Sequence, residues 1–236
     1  MSSLSVASRD WHALQRQEMV RVGRSLFERG YVHASAGNLS VRVPRAHGGG
    51  VLITPTDACL GFLQADDAVW LADDDRPLSP GRASKTVRLH RRIYAADPEA
   101  GAVIHTHSTH LVGLTLQPAA DPQADLLPPI TPYFVMKVGH VPRVPYHRPG
   151  DPAAAEAVGQ RIEAARARGQ RLHAVMLDRL GPNVWHSSLA QAMAVLEELE
   201  ETARLWCLFG PRPTAPVQPL GEAQIDELRQ HFGASW

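Results

Sequence analysis

Ala102-Val-Ile-His-Thr-His-Ser-Thr-His110 is the stretch from which the fold of this chain is read. Its first three residues are apolar, two of them β-branched, and read as a buried strand. Side chains two apart on a strand point the same way, so His105 and His107 share a face, about 7 Å apart along the backbone. Two convergent neutral imidazoles suit a divalent ion such as Zn, Mn, Fe or Co. Taken alone, His-x-His reads more readily as the half-buried polar end of a strand. His110, one step further on, either faces the same cleft or caps the next helix.

Around this strand the apolar pattern alternates between the two regular periods. Leu14, Met19, Val22, Leu26 and Phe27 fall at helical spacing over 11–29, with Gly30 as a stop. Residues 39–43 and 51–54 read as paired strands joined by a hairpin loop at 44–50, and 68–71 as another strand. Ser84 predicts an N-cap for a helix over 85–96, and Asp151-Pro152 predicts a helix running to 168. The four prolines within 117–129 predict a loop, while 134–137 and 141–144 read as short strands. A strand at 174–177, a helix capped by Ser188, a proline-rich extended tail at 211–219 and a last helix over 222–232 complete the chain. Helices flanking strands that include hairpins predict one three-layer α/β/α domain with a mixed sheet, spanning 1–236 with its core at about 11–209 and a tail at 210–236.

Several of these junctions carry a further pattern. Ser35-Ala-Gly-Asn-Leu-Ser-Val-Arg42, Leu52-Ile-Thr-Pro-Thr-Asp-Ala-Cys-Leu-Gly61 and Ser84-Lys-Thr-Val-Arg-Leu-His-Arg-Arg-Ile-Tyr94 precede the His-x-His strand in that order. With it they resemble the class II aldolase/adducin family over about 17–208. Ile130-Thr-Pro-Tyr-Phe-Val-Met-Lys-Val-Gly139 and Val144-Pro-Tyr-His-Arg-Pro-Gly-Asp-Pro152 look most like its branch that decarboxylates 3-oxo-tetronate 4-phosphates. The resemblance implies a largely antiparallel mixed sheet, a homotetramer with sites between subunits, and a lyase reaction on a small phosphorylated or carboxylated sugar-like substrate. It places His105 and His107 on a divalent metal, with zinc as the leading ion. Ser35, Asn38, Thr56, Ser84 and Lys85 are placed on a phosphate or acid group, and Lys85, Thr86 and Tyr133 at catalytic positions. Arg148, whose guanidinium can fork onto a carboxylate or phosphate, joins the anion set. The residue types agree with this placement: Gly37 lets backbone approach a ligand, and Lys85 adds charge at a helix start. Asn38 and Thr56 read equally as residues that close turns through side-chain to backbone bonds.

Two departures fall inside the implied machinery. The family's third metal histidine sits in an Asn-His-Gly sequence, and the matching segment here reads Val175-Met-Leu-Asp-Arg-Leu-Gly-Pro182, with Leu180 at the histidine position. The family's acid/base carboxylate is replaced by Thr86, whose hydroxyl has no ionisation near neutral pH. The ligand set is therefore incomplete, with Asp178, His173, His186, His140 and His147 as candidates to fill it. A repurposed or inactive member is the alternative reading: a metal-free enzyme, an iron enzyme built on two histidines and Asp178, or a ligand- or partner-binding protein.

Composition excludes other classes. The 236 residues are 44% apolar, enough for a full core, and 24 basic residues balance 24 acidic ones. A neutral chain offers no footprint for nucleic acid or an anionic membrane. Apolar runs are short of a membrane span, and Met1-Ser-Ser-Leu-Ser lacks the layout of a signal peptide, so a cytoplasmic location is expected. Cys59 and Cys207, far apart in sequence, fit reduced thiols better than a disulfide.

Overall fold

The computed structural model describes residues 5–117, 121, 124–210 and 216–236. Parts of the predicted loop at 117–129 and of the tail at 211–219 lie outside these, as do residues 1–4. Among the described residues seven strands form one sheet: β1 (Asn38–Arg42), β2 (Val51–Ile53), β3 (Val69–Leu71), β4 (Ala102–His105), β5 (Arg143–Val144), β6 (Ala174–Leu177) and β7 (Gly181–His186). Their spatial order is β3-β2-β1-β4-β7-β6-β5, antiparallel throughout except for the β5–β6 pair.

Helices cover both faces, giving the three layers and the mixed, mainly antiparallel sheet expected from the sequence. Against one face pack α1 (Val6–Glu28), α3 (Thr109–Leu114), α4 (Pro132–Lys137) and α6 (Leu189–Phe209), around a core that includes Met19, Leu26, Leu39, Ile104, Phe134 and Leu196. Against the other pack α2 (Val87–Ala96) and α5 (Pro152–Ala167), around Ile53, Ile93, Val103, Val158, Val175 and Trp185. Arg92 of α2 locks that pair of helices by reaching Glu156 at 3.0 Å and Glu163 at 2.8 Å on α5. α7 (Glu222–Phe232) closes the chain near α4. No helix among the described residues is long and apolar enough to cross a membrane.

Three expectations are corrected. Residues 134–137 are helical, not extended: Thr131 accepts from the Phe134 amide at 3.1 Å and Pro132 occupies the first turn, so the cap overrides the β-prone run Phe-Val-Met. The strand predicted at 141–144 is only the two residues of β5. α2 begins at Val87, with Thr86 rather than Ser84 at its cap, because Ser84 to Val87 form a separate turn closed by the Val87 amide on the Ser84 carbonyl at 3.1 Å.

Candidate active site

Two hairpin devices and one glycine build a cleft at the end of β1, β4 and β7. The segments around Thr56 and Ser84 are zipped together: the Thr56 amide donates to the Arg82 carbonyl at 2.9 Å, and the Ser84 amide to the Thr54 carbonyl at 3.1 Å. This brings Thr56, Ser84, Lys85 and Thr86 to one wall, where the Ser84 and Thr86 hydroxyls lie 2.9 Å apart. Gly37, at φ +82°, starts β1 where a Cβ would sit 2.9 Å from the His105 carbonyl oxygen, so only glycine lets the Ser35–Asn38 turn lie against the histidine strand. On the far side, Arg179 and Gly181 take positive φ in the tight β6–β7 turn, and a Cβ on Gly181 would collide with the Thr106 carbonyl. That turn presents Leu180 to the cleft.

The resulting cavity has a volume of about 450 Å³ and takes in Ser35, Asn38, Thr56, Ser84, Lys85, Thr86, His105, His107 and Arg148. The structure thus gathers every sequence-predicted site residue except Tyr133, which stands 62% exposed on α4 beside Arg29, Tyr31 and Lys137. His110 also lies apart, its Nδ1 2.8 Å from the buried Glu200 carboxylate, which accepts the amides of His110 and Leu111 as well. The cleft contains residues that sequence reading passed over: Arg88, one turn beyond Lys85, Asp151, and Asn183. The (i, i+3) spacing of Lys85 and Arg88 could have found the first. Asn183, a lone amide in the apolar run of β7, is the signal that could have found the last.

Its electrostatics favour an anion. Asp57 is 3.9 Å from Arg82, and Asp151 is 3.6 Å from Arg148. Lys85 and Arg88 meet no carboxylate within ion-pair distance among the described residues. His105 is buried, and its Nδ1 donates to the Pro182 carbonyl at 2.9 Å, which leaves Nε2 as a lone-pair acceptor. Burial, then the neighbouring His107, push its pKa down to about 4. His107 lies beyond the end of β4 with its ring centroid 5.1 Å from that of His105, and burial, then His33, lower its pKa too. Both rings are neutral near pH 7.

This donor set falls short of the ion that class II aldolases generally use. Leu180 supplies hydrocarbon where a third imidazole is required. Asp178 is held by the Arg143 guanidinium through two contacts of 3.0 Å, and His140 by Asp125 at 2.6 Å. His173 and His186 stack on each other at 4.6 Å, and neither lines the cleft. His33 is exposed, its ring 6.3 Å from that of His107. Among the described residues no group of three or more histidine, cysteine or acidic side chains is disposed to hold an ion. The residues present do not fit a three-ligand divalent site, for zinc or another ion.

Comparison with known proteins agrees with this architecture. The model of the class II aldolase and adducin N-terminal domain matches residues 17–207. A 3-oxo-tetronate 4-phosphate decarboxylase from Cupriavidus necator is 50% identical over 222 residues, covering 94% of this chain and 97% of that protein. The Escherichia coli protein of the same name is 40% identical over 91% of this chain and 94% of its own length. The crystal structure of YgbL from Escherichia coli superposes with a TM-score of 0.83 at 38% identity, covering 92% of this chain and 99% of that one.

Proposed function

Because this chain belongs to the class II aldolase and adducin family, we propose that it is a carbon–carbon lyase that removes CO2 from a phosphorylated 3-oxo sugar acid. The observation that carries this reading is the 50% identity to a decarboxylase of that class along nearly the whole chain. The cleft supports it with unpaired cations. Lys85, just before the cap of α2, together with Ser35, Asn38, Thr56 and Ser84, holds the phosphate. Arg148 orients the acid group, and Arg88 adds charge beside it.

The chemistry of such a substrate also accounts for Thr86. Aldol cleavage begins by removing a proton from a hydroxyl, for which a carboxylate base is needed. A 3-oxo acid enters already ionised, and its bond breaks into an electron sink with no proton to abstract. A threonine at 86 is therefore compatible with decarboxylation and incompatible with carboxylate-based aldol chemistry. The Thr86 hydroxyl, tied to Ser84, orients substrate. Tyr133 reaches a cleft only as a neighbouring chain's residue, within the homotetramer that the family likeness suggests.

The test is direct: purified protein is given 3-oxo-tetronate 4-phosphate, and CO2 is counted against product. Release of one CO2 per substrate, with no cleavage of fuculose 1-phosphate, is expected. Lys85→Ala should then weaken phosphate binding by roughly 10- to 100-fold. Leu180 and Thr86 in the same cleft favour one second reading, a protein that binds the anion without turning it over. Tight binding of the oxo acid with no CO2 would establish it in place of the first.

A further inference from the structure

Register places three polar residues side by side across the cleft floor: Asn38 of β1 pairs with His105 of β4, which pairs with Asn183 of β7. Adjacent Cα partners point the same way, so their side chains form one row. Asn183 is 2% exposed, and its Nδ2 has no hydrogen-bond partner; Asn38 is 5% exposed, and its Oδ1 has none either. A buried amide left unpaired destabilises the empty protein, and natural interiors rarely tolerate it. Here both orphans lie in the wall of the cavity. The row is thus an arrangement completed by a ligand: a donor at Asn183 and acceptors at His105 Nε2 and Asn38 Oδ1.

We propose that Asn183 is a catalytic residue whose Nδ2–H donates to the oxygen that gains negative charge as the substrate's carbon–carbon bond breaks, a role that rests on the decarboxylase reading above. In that step the C1–C2 bond breaks and its electron pair enters the C2–C3 bond, while the π pair of the C3 carbonyl moves to oxygen. CO2 departs, C2 takes a proton from water, and the oxygen's charge returns to a carbonyl. The enolate oxygen is the electron sink, and it needs a preorganised donor in a site of low dielectric. Asn183 meets both conditions, because Leu177 and Leu180 flank it in the cavity wall. His105 Nε2 and Asn38 Oδ1 are placed to accept from the substrate's single free hydroxyl, at C2, so the row also selects a hydroxylated ketone over a plain one.

Asn183→Leu keeps the approximate volume and removes the donor; Asn183→Asp keeps the shape and the acceptor. With wild-type turnover established, both variants are expected to lose roughly 100-fold or more in kcat. Inorganic phosphate should bind Asn183→Leu as it binds wild type, and that variant should melt no lower than wild type. A structural asparagine would behave oppositely, with lower melting and intact kcat, and that result overturns the proposal. Should the leucine variant not fold, the aspartate variant carries the same kinetic readings. If wild type releases no CO2, the decarboxylase reading fails by itself, and calorimetry with the same 3-oxo acid decides the donor. A roughly tenfold weaker affinity in Asn183→Leu, with phosphate unchanged, then supports Asn183 as the oxygen's donor, whereas equal affinity removes it.

Discussion

Two successive rows on one face of the sheet differ in a way that separates scaffold from site. The first, Asn38–His105–Asn183, opens on the cleft and leaves two buried amide atoms without partners. The second lies two residues along each strand, Ser40–Val103–Trp185, and most of its polar groups are paired. The Ser40 hydroxyl is 2.6 Å from His90 Nδ1 and 2.8 Å from the Tyr94 hydroxyl, and Trp185 Nε1 donates to Asp97 at 2.9 Å. Only His90 Nε2 stands unpaired there. The strands are the same; what changes is whether α2 reaches over the row. Polar groups beneath the helix hold the layers together, while those beyond its first turn remain available to a ligand.

The sharpest way to break this contrast is to empty the second row. Trp185 is fully buried, so Trp185→Ala should cost about 4 kcal/mol in urea-induced unfolding. Less than about 1 kcal/mol would mean that this row is not the anchor described. The next effect is the pH response. Burial, the main cause in each case, holds the pKa of His90 at about 3 and those of His105 and His173 at about 4. These folded values lie below the unfolded value near 6.5, so their contribution to stability is complete above about pH 6.5 and is lost as pH falls towards 4. Each should remove about 1.5 kcal/mol between pH 6.5 and 5. His90→Asn should flatten the curve by that amount, and an unchanged slope would place the loss elsewhere.

How much of this was legible follows the same division. Strand alternation in 39–43 and the apolar run at 102–104 sufficed for the scaffold, because burial on a pleated face leaves a period-two trace in sequence. α4 leaves no such trace, because six residues are too few to show a period, and only the Thr131-Pro132 start distinguishes it. In the site, the family-like turns around Ser35, Thr56 and Ser84 were readable as motifs and are brought together in the cleft. Asn183 was not. Its meaning comes from the cross-strand register of β7 with His105 on β4, a backbone property that the residue types alone do not display.

Leu180 gives a third way to sharpen the contrast, since it decides what the open row faces. Leu180→His would add an imidazole to the cavity that already holds His105 and His107. Zinc affinity measured by calorimetry should rise about tenfold or more, equivalent to about 1.4 kcal/mol, because a third protein ligand completes the set such sites use. No gain would mean that the turn holds residue 180 away from the pair, and the match of Leu180 to the family's histidine would have to be withdrawn.

The smallest effect is also the cleanest discriminator. Ser40→Ala removes the bridge between His90 and Tyr94 and leaves the buried His90 Nδ1 without that partner, which should cost about 1–2 kcal/mol. Asn38→Leu, two residues away on the same strand and equally buried, removes an amide whose Oδ1 has no partner, so its stability should stay within about 0.5 kcal/mol of wild type or rise. The order should reverse for ligand: phosphate binding is expected to weaken in Asn38→Leu and to persist in Ser40→Ala. Equal stability losses in the two variants would show that Asn38 is part of the scaffold, and the boundary between anchoring row and binding row would then lie beyond the end of β1.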